Sequence, residues 1–187
     1  RSPADFAGTD ETLYANLGML ALLLQYTSRV PEAEQVCTDI IEHGAAHVGE
    51  LDLARIKNTV AMIRKQAGDL DTAERYYGEV LATYRSLGLE RHPDMIAILN
   101  NAGRVKQERR DLDGARIAFE DALSIANETG SADAFTAIAL ELGLGRNALL
   151  ANDAEAARVR LTALRERLRA QQTADPHLLS LCCEQLG

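Results

Sequence analysis

The stretch "GDLDTAERYYGEVLATYRSLG", Gly68 to Gly88, is answered 42 residues later by "RDLDGARIAFEDALSIANETG", Arg110 to Gly130. Each is a polar turn followed by an amphipathic helical pattern, and recurrence at that interval marks stacked helical repeats. Anchoring on the small residue inside each second helix gives Ala33, Ala73, Ala115 and Ala157, at spacings of 40, 42 and 42. Four residues after each anchor stands a larger group: Cys37, Tyr77, Phe119, Leu161. Twelve before it stands another small one: Ala21, Ala61, Gly103, Gly145. A small residue lets paired helices approach closely, and the bulky residue one turn on fills the groove beside it.

From these columns the pattern predicts helices near 10–27, 31–43, 51–67, 71–87, 94–109, 113–129, 133–150 and 153–171, with a ninth beginning at about Pro176. The turns "AGDLD" (67–71) and "RRDLD" (109–113) place Asp71 and Asp113 as N-caps of the second helices. Gly44, Gly88 and Gly130 fall where those helices end, as left-handed C-caps. In "RHPD", His92 fits a helix cap, Pro93 a first helical position, and Asp94 adds charge at the positive end of the dipole. The fold class expected is all-α: a right-handed α-solenoid of stacked antiparallel helix pairs, about four repeats (10–44, 51–88, 94–130, 133–171) plus a partial ninth helix at 176–187, in a single domain over 1–187.

The bulk numbers agree. Hydrophobic residues make up 47% of the 187, but aromatics only 4% with no Trp, so the core is aliphatic and suits close-packed helices. The formal net charge of −8 argues against nucleic-acid or membrane-surface partners. Arg158, Arg160, Arg165, Arg167 and Arg169 in "RVRLTALRERLR" could form a basic patch, but a solvated face opposite Leu161, Leu164 and Leu168 reads better. Three cysteines without a CxxC pair point to a reducing, cytoplasmic setting. No run of about 18 apolar residues offers a membrane span. The chain opens on Arg rather than Met and its last helix stops at Gly187, so a piece of a longer protein is expected.

Catalytic chemistry finds little support. His43 and His47 stand four apart, a spacing that can share a metal on a helix, but Gly44 breaks that helix and favours a surface loop. Carboxylates in "GDLD" and "RDLD" recur with the repeat, which points to capping, since a catalytic pair needs one tuned copy. No phosphate loop and no GxSxG appears. The expectation is a non-enzyme without cofactor or metal.

The blocks "NTVAMIRKQAGDLDTAERYYGEVL" and "NNAGRVKQERRDLDGARIAFEDAL" resemble the tetratricopeptide repeat family. The 42-residue period, the "NNAG" and the "RHPDMIAILNN" linker are more like the kinesin light chain type, which also occurs in bacterial regulators and signalling ATPases. Copy one departs at Ser28 and copy four at Asn152, where the turn glycine belongs. The resemblance implies that the first helix of each pair lines a concave face. In copy two that face carries Arg55, Asn58, Thr59, Met62 and Gln66. In copy three it carries Ala97, Asn100, Asn101, Arg104 and Glu108, and in copy four Ala139, Gly143, Arg146 and Leu150. Copy one offers Ala15, Met19, Leu22 and Tyr26. Alanines where a carboxylate clamp wants Lys, Arg and Asn disfavour chaperone-tail binding.

Arg104 and Arg146 share one register in neighbouring copies, and asparagine side chains can pair an extended peptide's backbone. Two readings stand side by side. In one, the groove binds a protein or peptide segment carrying acidic groups; in the other, the arginines pair with Glu108, Glu141 or Asp133 within the array. The function expected is a non-catalytic interaction module, a scaffold or sensor arm. Competing with it are a homo-oligomerisation module, pairing through the apolar end "LLSLCC", and a receptor for a small signalling peptide within a transcriptional regulator.

Overall fold

The computed structural model describes residues 29–131 and 134–170, the side chains of 134 and 167–170 excepted. The expected helix at 10–27, the terminal helix from Pro176, Asp133 and the "LLSLCC" end lie outside the described residues. The chain divides into two compact units between Glu90 and Arg91. The first holds α1 (Val30–Asp39), a π turn (Ile40–Gly44), a short 3-10 turn (Ala45–His47), α2 (Glu50–Gln66) and α3 (Leu70–Ser86). The second holds α4 (Asp94–Glu108), α5 (Leu112–Thr129), α6 (Ala134–Leu150) and α7 (Ala154–Ala170). All the regular structure among the described residues is helical.

The columns read from the sequence are the packing seam. Ala33, Ala73, Ala115 and Ala157 are buried, as are Cys37, Tyr77, Phe119 and Leu161. α2 packs on α3, α4 on α5, and α6 on α7. The pairing of small against large is direct. A Cβ added to Gly103 would stand 2.8 Å from the Phe119 ring, and one added to Gly145 would stand 2.5 Å from Leu161 Cδ2. Burial pushes the Cys37 thiol up to about 12, with Glu34 adding to the effect, so it sits in the seam as a small apolar group.

The turns repeat atom for atom. Asp69 N–H donates to Arg64 C=O (2.9 Å), Asp111 to Lys106 (2.9 Å) and Asp153 to Ala148 (2.9 Å), while the preceding residue closes the tighter bond of a Schellman turn. That preceding residue is Gly68, Arg110 or Asn152, all at positive φ (80°, 68° and 60°). The turn glycine is therefore absent from two copies, which accept a left-handed Arg and Asn instead.

Two expectations from the sequence are corrected here. The N-caps are Asp69 and Asp111, with Asp153 in copy four, and not Asp71 and Asp113. Their carboxylates accept from Thr72 N (3.2 Å), Gly114 N (3.0 Å) and Ala156 N (3.0 Å). The reason is that the residue closing the Schellman turn also opens the next helix, so α3 and α5 start at Leu70 and Leu112. Asp71 and Asp113 stand in the first turn, where they favour the dipole. Gly44 is no left-handed cap: its φ is −107°, and the chain continues through the π turn into the 3-10 turn. Gly88 and Gly130 do take positive φ. At the start of α4, Pro93 stands at the N-cap instead of the first helical position, and His92 Nδ1, one residue before it, accepts from Asp94 N at 3.1 Å.

Charge pairs link neighbouring helices in each unit. In the first, Lys57 Nζ meets Glu79 Oε2 at 2.7 Å, and Arg64 Nε meets Glu34 Oε1 at 2.6 Å as a charge contact outside hydrogen-bond alignment. In the second, Arg91 on the α4 approach grips Glu128 and Ser124 of α5, and Arg160 spans Glu120 and Glu141. Of the α7 arginines, Arg158 holds Glu155 (2.7 Å) on an exposed face and Arg160 is paired, while Leu161 and Leu164 are buried.

One polar cluster is largely buried in the second unit. Gln107 and Asn147 are each 5% exposed. Asn147 Nδ2 donates to Leu112 C=O (2.8 Å), and Gln107 Nε2 donates to Asn147 Oδ1 (3.3 Å) and Gly143 C=O (3.1 Å).

These observations set four expectations. Gly103→Ala forces a methyl onto a ring already bounded by Gly143 and costs ~1–2 kcal/mol, net of the helix propensity gained. Gly78→Ala, with nothing within 4 Å of the new Cβ, stabilises by ~0.5–1 kcal/mol; denaturant melts of the two variants check both signs. Asn147→Val removes one acceptor from the Gln107 amide and one donor from the Leu112 carbonyl and costs ~1–3 kcal/mol, but adding Gln107→Leu costs less than the sum of the single changes, as a double-mutant cycle will show. Finally, Thr72 lowers the Asp69 carboxyl, Lys106 and then Gly114 lower Asp111, and Arg91 lowers Glu128. Depressed folded-state values mean stability that is present above the ordinary carboxylate range and lost as pH falls through the folded values. The melting temperature should hold from pH ~7 to ~5 and decline below pH ~4.

Candidate functional site

In the first unit the groove residues proposed from the sequence sit along α2. Arg55 and Gln66 are exposed, with Arg55 Nη1 on Asp52 Oδ1 at 3.2 Å. Asn58 and Met62 are half-buried and touch each other, Nδ2 to Sδ at 3.7 Å. Thr59 offers a ligand little: it is 4% exposed, and its hydroxyl donates to Arg55 C=O at 3.2 Å. The hydroxyl bonds to its own preceding turn because a buried Thr in a helix has that carbonyl in reach.

In the second unit α4 and α6 border an open hollow of about 200 Å³. Its walls are Asn100, Arg104 and Gln107 from α4, with Ala139, Leu142, Gly143 and Arg146 from α6. Three of the expected residues, Asn100, Arg104 and Arg146, are thus brought together. Asn101 and Glu108 stand on the same helix outside that wall, Asn101 half-buried and Glu108 exposed at the helix end.

The arginine pair is the electrostatic feature of the hollow. Both guanidinium-bearing residues are exposed, and among the described residues neither forms an ion pair. Glu141, a partner that an internal pairing role would call on, is held by Arg160 Nη1 at 3.9 Å. No carboxylate lines the hollow. On α6 the residues Phe135, Ala139, Leu142, Arg146 and Leu149 recur at one-face spacing, and Phe135 is 65% exposed. A positive pair therefore has an apolar stripe beside it.

Gln107 and Leu142 were missed by the sequence reading. For Gln107 an indirect signal existed in its partner: Asn147 occupies a column whose other members, Ile63 and Val105, are apolar. A polar residue in a buried column needs a partner, and Gln107 is the one the fold supplies. The histidine pair is settled as surface: His43 and His47 are exposed on the two short turns, and no cluster of three metal-ligating side chains occurs among the described residues. Among those residues, too, no helix is long and apolar enough to cross a membrane.

Comparison with known proteins agrees with the helical-repeat fold. The tetratricopeptide repeat family model matches residues 52–128. Among solved structures, BtubC (BKLC) from P. vanneervenii is similar at 26% identity and TM-score 0.75, covering 89% of this chain and 67% of that one. The kinesin light chain nearly identical TPR-like repeats from Podosopora anserina give 16% identity and TM-score 0.75, covering 95% and 84%. The N-terminal domain of stress-induced protein-1 from C. elegans gives 18% and 0.55, covering 74% and 98%. No protein of curated function matches significantly. Residues 52–128 are thus similar to the tetratricopeptide repeat family, whose repeats bind protein or peptide partners, and the chain is an all-α helical-repeat protein in the fold of kinesin light chain-like repeat proteins.

Proposed function

We propose that this chain is a non-catalytic interaction module that binds an extended peptide or loop carrying acidic groups, with the α4–α6 hollow as its anchoring point. The observation that carries the reading is the pair Arg104 and Arg146: two exposed guanidiniums in one hollow, with no carboxylate in its walls. A carboxylate laid between them gains charge-assisted hydrogen bonds from both sides. Asn100 beside them can donate to or accept from a peptide backbone. The stripe of Phe135, Leu142 and Leu149 favours an apolar residue next to the acidic one. In the first unit, Arg55, Asn58, Met62 and Gln66 on α2 are a separate stretch that offers a partner the same kinds of side chain. The working environment we infer is the cytoplasm, in keeping with the buried free thiol of Cys37.

Phage selection of random dodecapeptides against the 187-residue chain should return sequences enriched in Asp and Glu beside an apolar residue. For a selected peptide, Arg104→Ala and Arg146→Ala should each weaken binding by about 10- to 100-fold, the loss of a charge-assisted contact, with the far-ultraviolet circular dichroism unchanged. Selection without acidic bias, or equal binding by folded variants, would overturn the reading.

A further inference from the structure

Behind the arginines the hollow has a floor whose polarity is dictated from the opposite side. The Leu112 carbonyl can only accept, so Asn147 turns its Nδ2 toward it, at 2.8 Å. Asn147 then has only Oδ1 to show Gln107, and Gly143 shows its carbonyl. Both demand a donor, and Gln107 Nε2 supplies it at 3.3 Å and 3.1 Å. An amide nitrogen has two hydrogens, and both are spent. What remains of Gln107, a residue 5% exposed that lines the hollow, is Oε1. That oxygen has no partner among the described residues, nor is it sealed from solvent; the hollow is where it opens. The wall therefore presents two cations at its rim and one fixed acceptor beneath them.

That combination selects among anions. A lone pair at the floor repels a carboxylate or phosphate oxygen, so an anion is held at the rim and the floor asks for an N–H. An extended peptide supplies both within one residue, since its backbone N–H groups are unpaired and costly to bury unmatched. We infer that the α4–α6 hollow is a two-part subsite for one acidic residue of an extended chain, Arg104 and Arg146 taking its side-chain carboxylate and Gln107 Oε1 accepting a peptide N–H adjacent to it. The inference rests on the groove reading above and narrows it: charge alone does not satisfy the site.

Changing Gln107 would disturb its hydrogen bonds to Asn147 and Gly143, so the test changes the ligand. The probes are the capped tripeptide acetyl-Ala-Glu-Ala-amide, the same peptide N-methylated at Glu and the following Ala, its Gln-containing analogue, acetate and inorganic phosphate. Each is titrated into the ¹⁵N-labelled full chain, following backbone amides of 100–107 and 139–146 and the Gln107 side-chain NH2. The parent tripeptide should give saturable shifts in the millimolar range. The N-methylated, Gln-containing, acetate and phosphate probes should each bind at least about 10-fold more weakly. Equal binding of the N-methylated peptide or of acetate would overturn the acceptor floor and leave an anion groove standing. No shifts with the parent tripeptide, while Arg104→Ala and Arg146→Ala still abolish binding of a selected acidic peptide, would overturn the floor alone. No shifts, together with unaffected binding by both arginine variants, would overturn the floor and the groove reading together.

Discussion

The second unit depends on a close approach that only glycine permits. Phe119 of α5 lies against Gly103 of α4 and Gly143 of α6, where an added Cβ would stand 2.8 Å and 3.0 Å from its ring. The ring thus bridges the first helices of two successive copies through one side chain of the helix between them. α4 and α6 are held side by side as a result, so residues in equal register on the two helices border one space. Arg104 and Arg146 flank the hollow for this reason, and Asn100 and Leu142, also in equal register, share its wall. Gly143 shows the coupling most plainly: it meets Phe119, lines the hollow, and gives its carbonyl to Gln107.

The fold was legible because its packing rule is carried by residue size at a fixed interval. Ala115 with Phe119 and Gly103 needs no knowledge of distant contacts to be read, since both helices of a pair lie in one continuous segment. The caps were misread by two residues because "GDLD" and "RDLD" offer two aspartates, and only the hydrogen-bond pattern shows that one residue both ends a turn and starts a helix. Gly44 misled for a related reason. A glycine is permitted to be left-handed but not obliged, and α1 instead continues through a π turn in ordinary right-handed geometry.

Part of the candidate site was legible by the same logic of register. Arg104 and Arg146 stand 42 apart on first helices, so the sequence alone makes them neighbours. Gln107 escaped it because its register mates are Lys65 and Leu149, which share no chemistry with it or with each other. Its role comes from a bond to Asn147, 40 residues on rather than 42, which crosses the column pattern. Features shared by every copy build the scaffold and are visible as repetition. Features that differ between copies build the site, and single-copy contacts must be found in three dimensions.

The charge of the chain follows the same division. It carries 28 acidic residues against 20 basic ones, yet the hollow it presents is positive. Among the described residues many acids are committed: Asp69, Asp111 and Asp153 cap helices, while Glu79, Glu120, Glu128, Glu141 and Glu155 hold lysines and arginines of the array. Capping and pairing neutralise those carboxylates locally, within a few ångströms, but leave the distant field negative. An acidic peptide therefore gains no attraction at long range, and its preference must arise inside about one Debye length, ~8 Å at physiological salt, where the two guanidiniums dominate. On the proposed reading, such a site would discriminate by contact geometry more than by steering, and the acceptor at its floor would matter as much as the cations at its rim.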